Sequence, residues 1–152
     1  MAFTKEFKET HLSTRPPADV RAFTEMLRSS PEGTKFFCFI YRADETRPLL
    51  KVEFGWTEPI PADPGPAQET SAYRTGAFSY AGPRSAQIFF PCETDSGPKS
   101  TMSARLIGHM DAHAGADSTI TILNSVSRAV ADGLGCLEES GLVEGRPERL
   151  TG

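Results

Sequence analysis

The chain of 152 residues carries 16 basic and 20 acidic side chains, a formal charge of −4 and an isoelectric point near 5.4. With 38% apolar and 24% charged residues it is too balanced for a disordered chain, and it is long enough for one domain with a buried core. An acidic chain without a basic block argues against nucleic-acid binding, and no apolar run is long enough to insert into a membrane.

Residues 1–15 are polar and mixed and read as a flexible lead-in, with no apolar stretch of the signal-peptide kind. A helix is predicted over 17–29. Pro16 and Pro17 suit its entry, Asp19 complements its dipole, and Val20, Phe23 and Leu27 make one apolar stripe beside Met26. Ser30-Pro31-Glu32-Gly33 stops it. Residues 34–42 form a strand with two apolar faces, Phe36, Cys38 and Ile40 on one and Phe37, Phe39 and Tyr41 on the other. Residues 49–56 alternate, with Leu50, Val52, Phe54 and Trp56 inward and Lys51 and Glu53 toward water. Residues 57–69 hold a proline-rich surface loop that no sheet ladder tolerates.

A third strand is predicted within 70–80. Strands over 84–91 (Ala86, Ile88 and Phe90 inward) and 99–107 (Met102, Ala104 and Leu106 inward) make a second hairpin. Asp117 or Ser118 caps a helix that runs to residues 133–134, with Ile122, Val126, Ala129, Val130 and Leu134 on one face. Residues 138–152 read as a solvated tail. The expected fold is therefore α+β: an antiparallel sheet of about five strands, with an N-terminal and a C-terminal helix packed on one face. It occupies residues 16–137 as a single domain.

Three cysteines occur, Cys38, Cys92 and Cys136, without a Cys-x-x-Cys motif of the zinc or thioredoxin type. Either Cys92 and Cys136 bridge and Cys38 is a buried thiol, or all three are reduced; the compartment decides. The segment Ala86-Gln-Ile-Phe-Phe-Pro-Cys92, followed by a polar turn, a strand and the helix Ser127-Arg-Ala-Val-Ala-Asp-Gly-Leu-Gly-Cys136, resembles small uncharacterised secreted or membrane-anchored actinobacterial ectodomains. These carry Pro-Cys after a strand and Leu-Gly-Cys closing a helix. The resemblance covers about residues 84–136. It implies an extracytoplasmic Cys92–Cys136 disulfide and no catalytic residue.

The densest group of metal-ligating residue types is His109, Asp111 and His113, where two imidazoles four residues apart would share a helical face. No His-Glu-x-x-His arrangement accompanies them, and a further ligand would come from elsewhere, for example His11. The competing reading is a polar loop that caps the next helix. A Cys92–His109 nucleophile pair is conceivable in space, but no Gly-x-Ser-x-Gly elbow, phosphate-binding glycine loop or cofactor motif is present. Phe37, Phe39 and Tyr41 are a candidate interaction surface, to be covered by the proline loop, a second copy of the chain or a protein partner.

The leading expectation is a non-enzymatic binding module, the extracytoplasmic domain of a larger bacterial protein, with no cofactor. It binds a protein partner or associates with itself. The alternatives are a small metal-binding protein or metal-dependent enzyme using His109, Asp111 and His113, and a cytoplasmic acidic adaptor, chaperone or immunity-type protein.

Overall fold

Asp19 starts the first helix. In a computed structural model of the chain, which describes residues 19–30, 32–40, 50–57, 62–63, 65, 69–93, 100–108 and 115–150 (38–40 by backbone alone), its carboxylate accepts from the Arg21 amide at 2.9 Å. This is the capping geometry that satisfies an otherwise unpaired N–H. Helix α1 (Val20–Ser29) buries Phe23 and Leu27 of the predicted stripe, with Thr24 beside them.

Strands β1 (Thr34–Ile40) and β2 (Leu50–Thr57) pair antiparallel, and Leu50, Val52 and Phe54 lie in the core as their alternation predicts. Trp56 is half-buried, and its indole N–H donates to the Leu27 carbonyl at 2.9 Å. That bond satisfies a helix-end acceptor and ties α1 to β2. The stretch 70–80, read as one strand, is two: β3 (Ser71–Arg74) and β4 (Phe78–Ala81). Gly76 makes the turn at φ +65°, where a Cβ would stand 2.7 Å from the Phe89 carbonyl oxygen. Only glycine accommodates both the angle and the contact. Strands β5 (Ser85–Pro91) and β6 (Thr101–Gly108) follow, and their predicted inward residues are all buried.

A helix α2 (Ala116–Leu134) then crosses the sheet, followed by a short helix α3 (Leu137–Ser140) and a two-residue strand β7 (Glu148–Arg149). Among the described residues the sheet has seven strands in the order β1-β2-β6-β5-β4-β3-β7, every neighbouring pair antiparallel. The α+β class holds. The strand count rises from five because one predicted strand is a hairpin and the last strand comes from the presumed tail.

The buried face of α2 is rotated from the predicted one. Ile120, Leu123, Asn124, Ser127, Val130, Ala131 and Leu134 are buried, whereas Ile122 and Val126 are half-buried and Ala129 is exposed. An apolar count passes over Thr119, Asn124 and Ser127, which the core accepts. The Thr119 hydroxyl, for one, donates to the Gly82 carbonyl at 3.0 Å. The cap differs too: Gly115 occupies it without a side-chain bond, and Asp117 sits in the first turn. The C-terminus is a Schellman arrangement, with Gly135 left-handed at φ +81° and the Gly135 and Cys136 amides donating to Asp132 and Ala131.

Helix placement also differs from expectation. Helix α2 lies over β4, β5 and β6, while α1 rests on α2 and reaches the sheet through Phe23. The Phe23 ring meets Phe37 and Phe54 edge-on, with centroids 5.0 and 5.6 Å apart. Gly133 allows the helices to approach, since a Cβ there would stand 2.8 Å from Thr24 Cγ2.

Residues 138–150 are not a solvated tail. Ser140, Leu142 and Pro147 are buried, and β7 pairs with β3. Cys92, just after β5, and Cys136, just after α2, form a disulfide with their Cα atoms 5.0 Å apart. It holds the start of this C-terminal segment against the sheet. Among the described residues no helix is long and apolar enough to cross a membrane.

Candidate interaction surface

In β1 the register passes from Phe36 opposite Glu53 to Cys38 opposite Val52, so Phe37 is the extra residue of a bulge. A bulge reverses side-chain phase. Phe37 therefore turns inward and is buried against Phe23 and Phe54, and it is no surface residue. Phe36, assigned to the opposite phase by simple alternation, is the exposed one, with 42% of its surface accessible. Of the other two residues in that predicted surface, Tyr41 and the Phe39 side chain lie outside the described residues, as does the Cys38 side chain.

The sheet has one face under the helices and one that no described helix covers. Register alone gives the order of side chains on the open face. One row runs Phe36, Glu53, Arg105, Gln87, Tyr80 and Ala72 from β1 to β3. The next runs Thr34, Gly55, Ser103, Phe89 and Phe78. On the other side Lys51 and Ile107 are partners. The Lys51 ammonium stands 5.2 Å from the Phe36 ring centroid, and the Phe78 and Phe89 rings are 4.8 Å apart. Gln87 donates to the Ser103 hydroxyl at 3.2 Å.

Glu53, expected in water, is 9% exposed. It faces Arg105 at 3.5 Å, and the Arg105 side chain is 52% exposed. Arg105 borders two depressions. A hollow of about 150 Å³ is lined by Thr34, Glu53, Gly55, Trp56, Ser103 and Arg105. A wider cleft of about 420 Å³ is bordered by Gly65, Thr70, Tyr80, Gln87, Arg105 and Ile107. Asp63 of the proline-rich segment accepts a hydrogen bond from the Tyr80 hydroxyl, which places that part of the segment at the rim of the face.

A second polar cluster lies at the far edge. Asp117 of α2 accepts from the buried Tyr73 of β3, from Arg146 at 2.6 Å and from Arg149 of β7 at 3.0 and 3.2 Å. The Arg149 guanidinium also lies 5.7 Å from the Tyr73 ring centroid. The Tyr73 hydrogen bond, aided by the two arginines, lowers the Asp117 pKa from 3.8 to about 2. Burial, followed by the Asp117 carboxylate, raises the Tyr73 pKa to about 12. Both carboxylate oxygens are engaged, so the cluster is a clasp that fastens the C-terminal segment to α2 and β3.

The remaining sequence-predicted site, His109, Asp111 and His113, lies outside the described residues, as does His11. Among the described residues no three metal-ligating side chains gather. Sequence reasoning missed Phe36, the Glu53–Arg105 pair and the Tyr73–Asp117 clasp. Glu53 and Arg105 each fall out of phase with the inward residues of their strands, a visible signal, but their juxtaposition is a matter of register. Comparison with protein-family models, with curated proteins and with solved structures finds no match.

Proposed function

We propose that the chain is a non-enzymatic protein-interaction module of an extracytoplasmic protein, and that it binds through the open face of its sheet. One observation carries this reading: the face opposite the helices bears, among the described residues, part-exposed Phe36, Phe78, Tyr80 and Phe89 around an arginine. Aromatic side chains and arginine are the residues that contact surfaces concentrate. The Cys92–Cys136 disulfide supports an oxidising compartment, and the resemblance of residues 84–136 to exported domains points the same way.

Photo-crosslinking in the native host tests the surface. A photoreactive residue at Gln87, on the open face, is expected to give protein adducts that the same residue at exposed Ser125 on α2 does not. Equal labelling from both positions, or none from Gln87, counts against the reading. The compartment is tested by alkylation of the denaturant-unfolded chain without reductant, which is expected to modify Cys38 alone; modification of all three cysteines defeats that part.

A further inference from the structure

The open face is self-complementary. Glu53 and Arg105 are direct cross-strand partners on adjacent strands, opposite in charge and side by side on one surface. A twofold axis parallel to the strands and midway between β2 and β6 exchanges the two strand positions between facing copies. It therefore sets each Glu53 against the other copy's Arg105, as an isologous interface requires. We propose that a second copy of this chain is the partner: two open faces stack about this axis, and each Arg105 enters the Glu53 hollow of the other copy. This rests on the reading of that face as an interaction surface.

Relief and charge agree. The Arg105 side chain is 52% exposed, while Glu53 is nearly buried at the hollow of about 150 Å³ that both residues line. Within one chain the ion pair is long at 3.5 Å, and Glu53 is the one partner that the described residues give a guanidinium with five N–H donors. The same axis lays Gly55 over the other copy's Ser103, and these small residues allow close approach beside the central charges, with Asp63 and Gly65 at the rim. It lays Lys51 over Ile107, and Phe36 over Gln87 beside Tyr80 and Phe89.

Sedimentation velocity on the disulfide-intact chain over a dilution series tests the proposal. The wild type is expected to reach twice the 16.5 kDa chain mass. Glu53→Arg alone, or Arg105→Glu alone, leaves four like charges at the centre and is expected to raise the dimer dissociation constant about a hundredfold or more. An equimolar mixture of the two variants, or the double variant, recovers the dimer. Circular dichroism verifies that each variant is folded. Independently of these variants, a photoreactive residue at Gln87 in a mixture of isotope-labelled and unlabelled chains is expected to link to the Phe36 segment of the other copy. A monomeric wild type overturns the proposal, as does a dimer indifferent to the single reversals, folded variants that do not recover on mixing, or a self-adduct elsewhere. If the purified chain is monomeric while Gln87 captures a different protein in the host, this inference fails and the interaction reading stands. If Gln87 captures nothing, both fail.

Discussion

Two buried polar residues on α2 show how context sets the value of a side chain. Asn124 is fully buried, accepts from the Thr75 hydroxyl, and donates to the Val143 carbonyl at 2.8 Å. It thereby joins the β3–β4 turn to the C-terminal segment. Asn124→Ala removes the acceptor of the Thr75 hydroxyl, which keeps only the Val143 amide, and the donor to the Val143 carbonyl, and is expected to cost about 2 kcal/mol in chemical denaturation. One turn away the Ser127 hydroxyl is also buried, yet the described residues give it no partner. Ser127→Ala removes a desolvated polar group and is expected to change stability by less than about 1 kcal/mol, or to raise it. A Ser127→Ala loss as large as that of Asn124→Ala would show that the hydroxyl is satisfied. Residue identity alone does not separate these two positions, since both break an apolar helical stripe.

At the scale of elements, β7 is two residues long and is held to β3 through its ladder and to α2 through the Asp117 clasp. Asp117 has a lowered pKa in the folded chain, so its contribution is present above about pH 4 and is lost as pH falls from 3.8 toward 2. Tyr73 has a raised one, so its contribution is present below pH 10 and is lost as pH rises from 10 toward 12. The carboxylate is partly exposed, which holds its worth to about 1 kcal/mol after solvent screening. Asp117→Asn is expected to flatten the acid limb of stability against pH and to speed amide exchange in residues 142–150 more than in α1. Unchanged exchange in that segment would refute the clasp.

Over the whole molecule, the disulfide closes a loop with a sequence separation of 44 and joins the end of β5 to the end of α2. By chain entropy it stabilises the fold by about 4 kcal/mol. Reduction is expected to lower the thermal midpoint cooperatively and not to detach the C-terminal segment alone, because Leu142, Leu134 and Cys136 belong to one core. A separate low-temperature transition confined to residues 137–150 would contradict this.

The inward faces of β2, β5 and β6 were legible because a half-buried strand writes its burial as local alternation. Phe23 and Leu27 on α1 were legible for the same reason at helical spacing. The bulge at Phe37 was not, because pairing with β2, and not the run of phenylalanines, decides which ring turns inward. The C-terminal segment reads as solvated because its docking depends on a few groups, buried Leu142 and Pro147 and two arginines whose carboxylate partner, Asp117, lies on α2.

By itself the sequence determined the α+β class, the principal core strands and which cysteines stand at element ends, all written in patterns between near neighbours. Only the tertiary structure decided that β6 lies beside β2 with Arg105 opposite Glu53, that Asn124 faces inward, and that no described helix covers one face of the sheet. The reason is physical: each of these follows from the register between segments far apart in the chain, and register is set by the packing of the whole core.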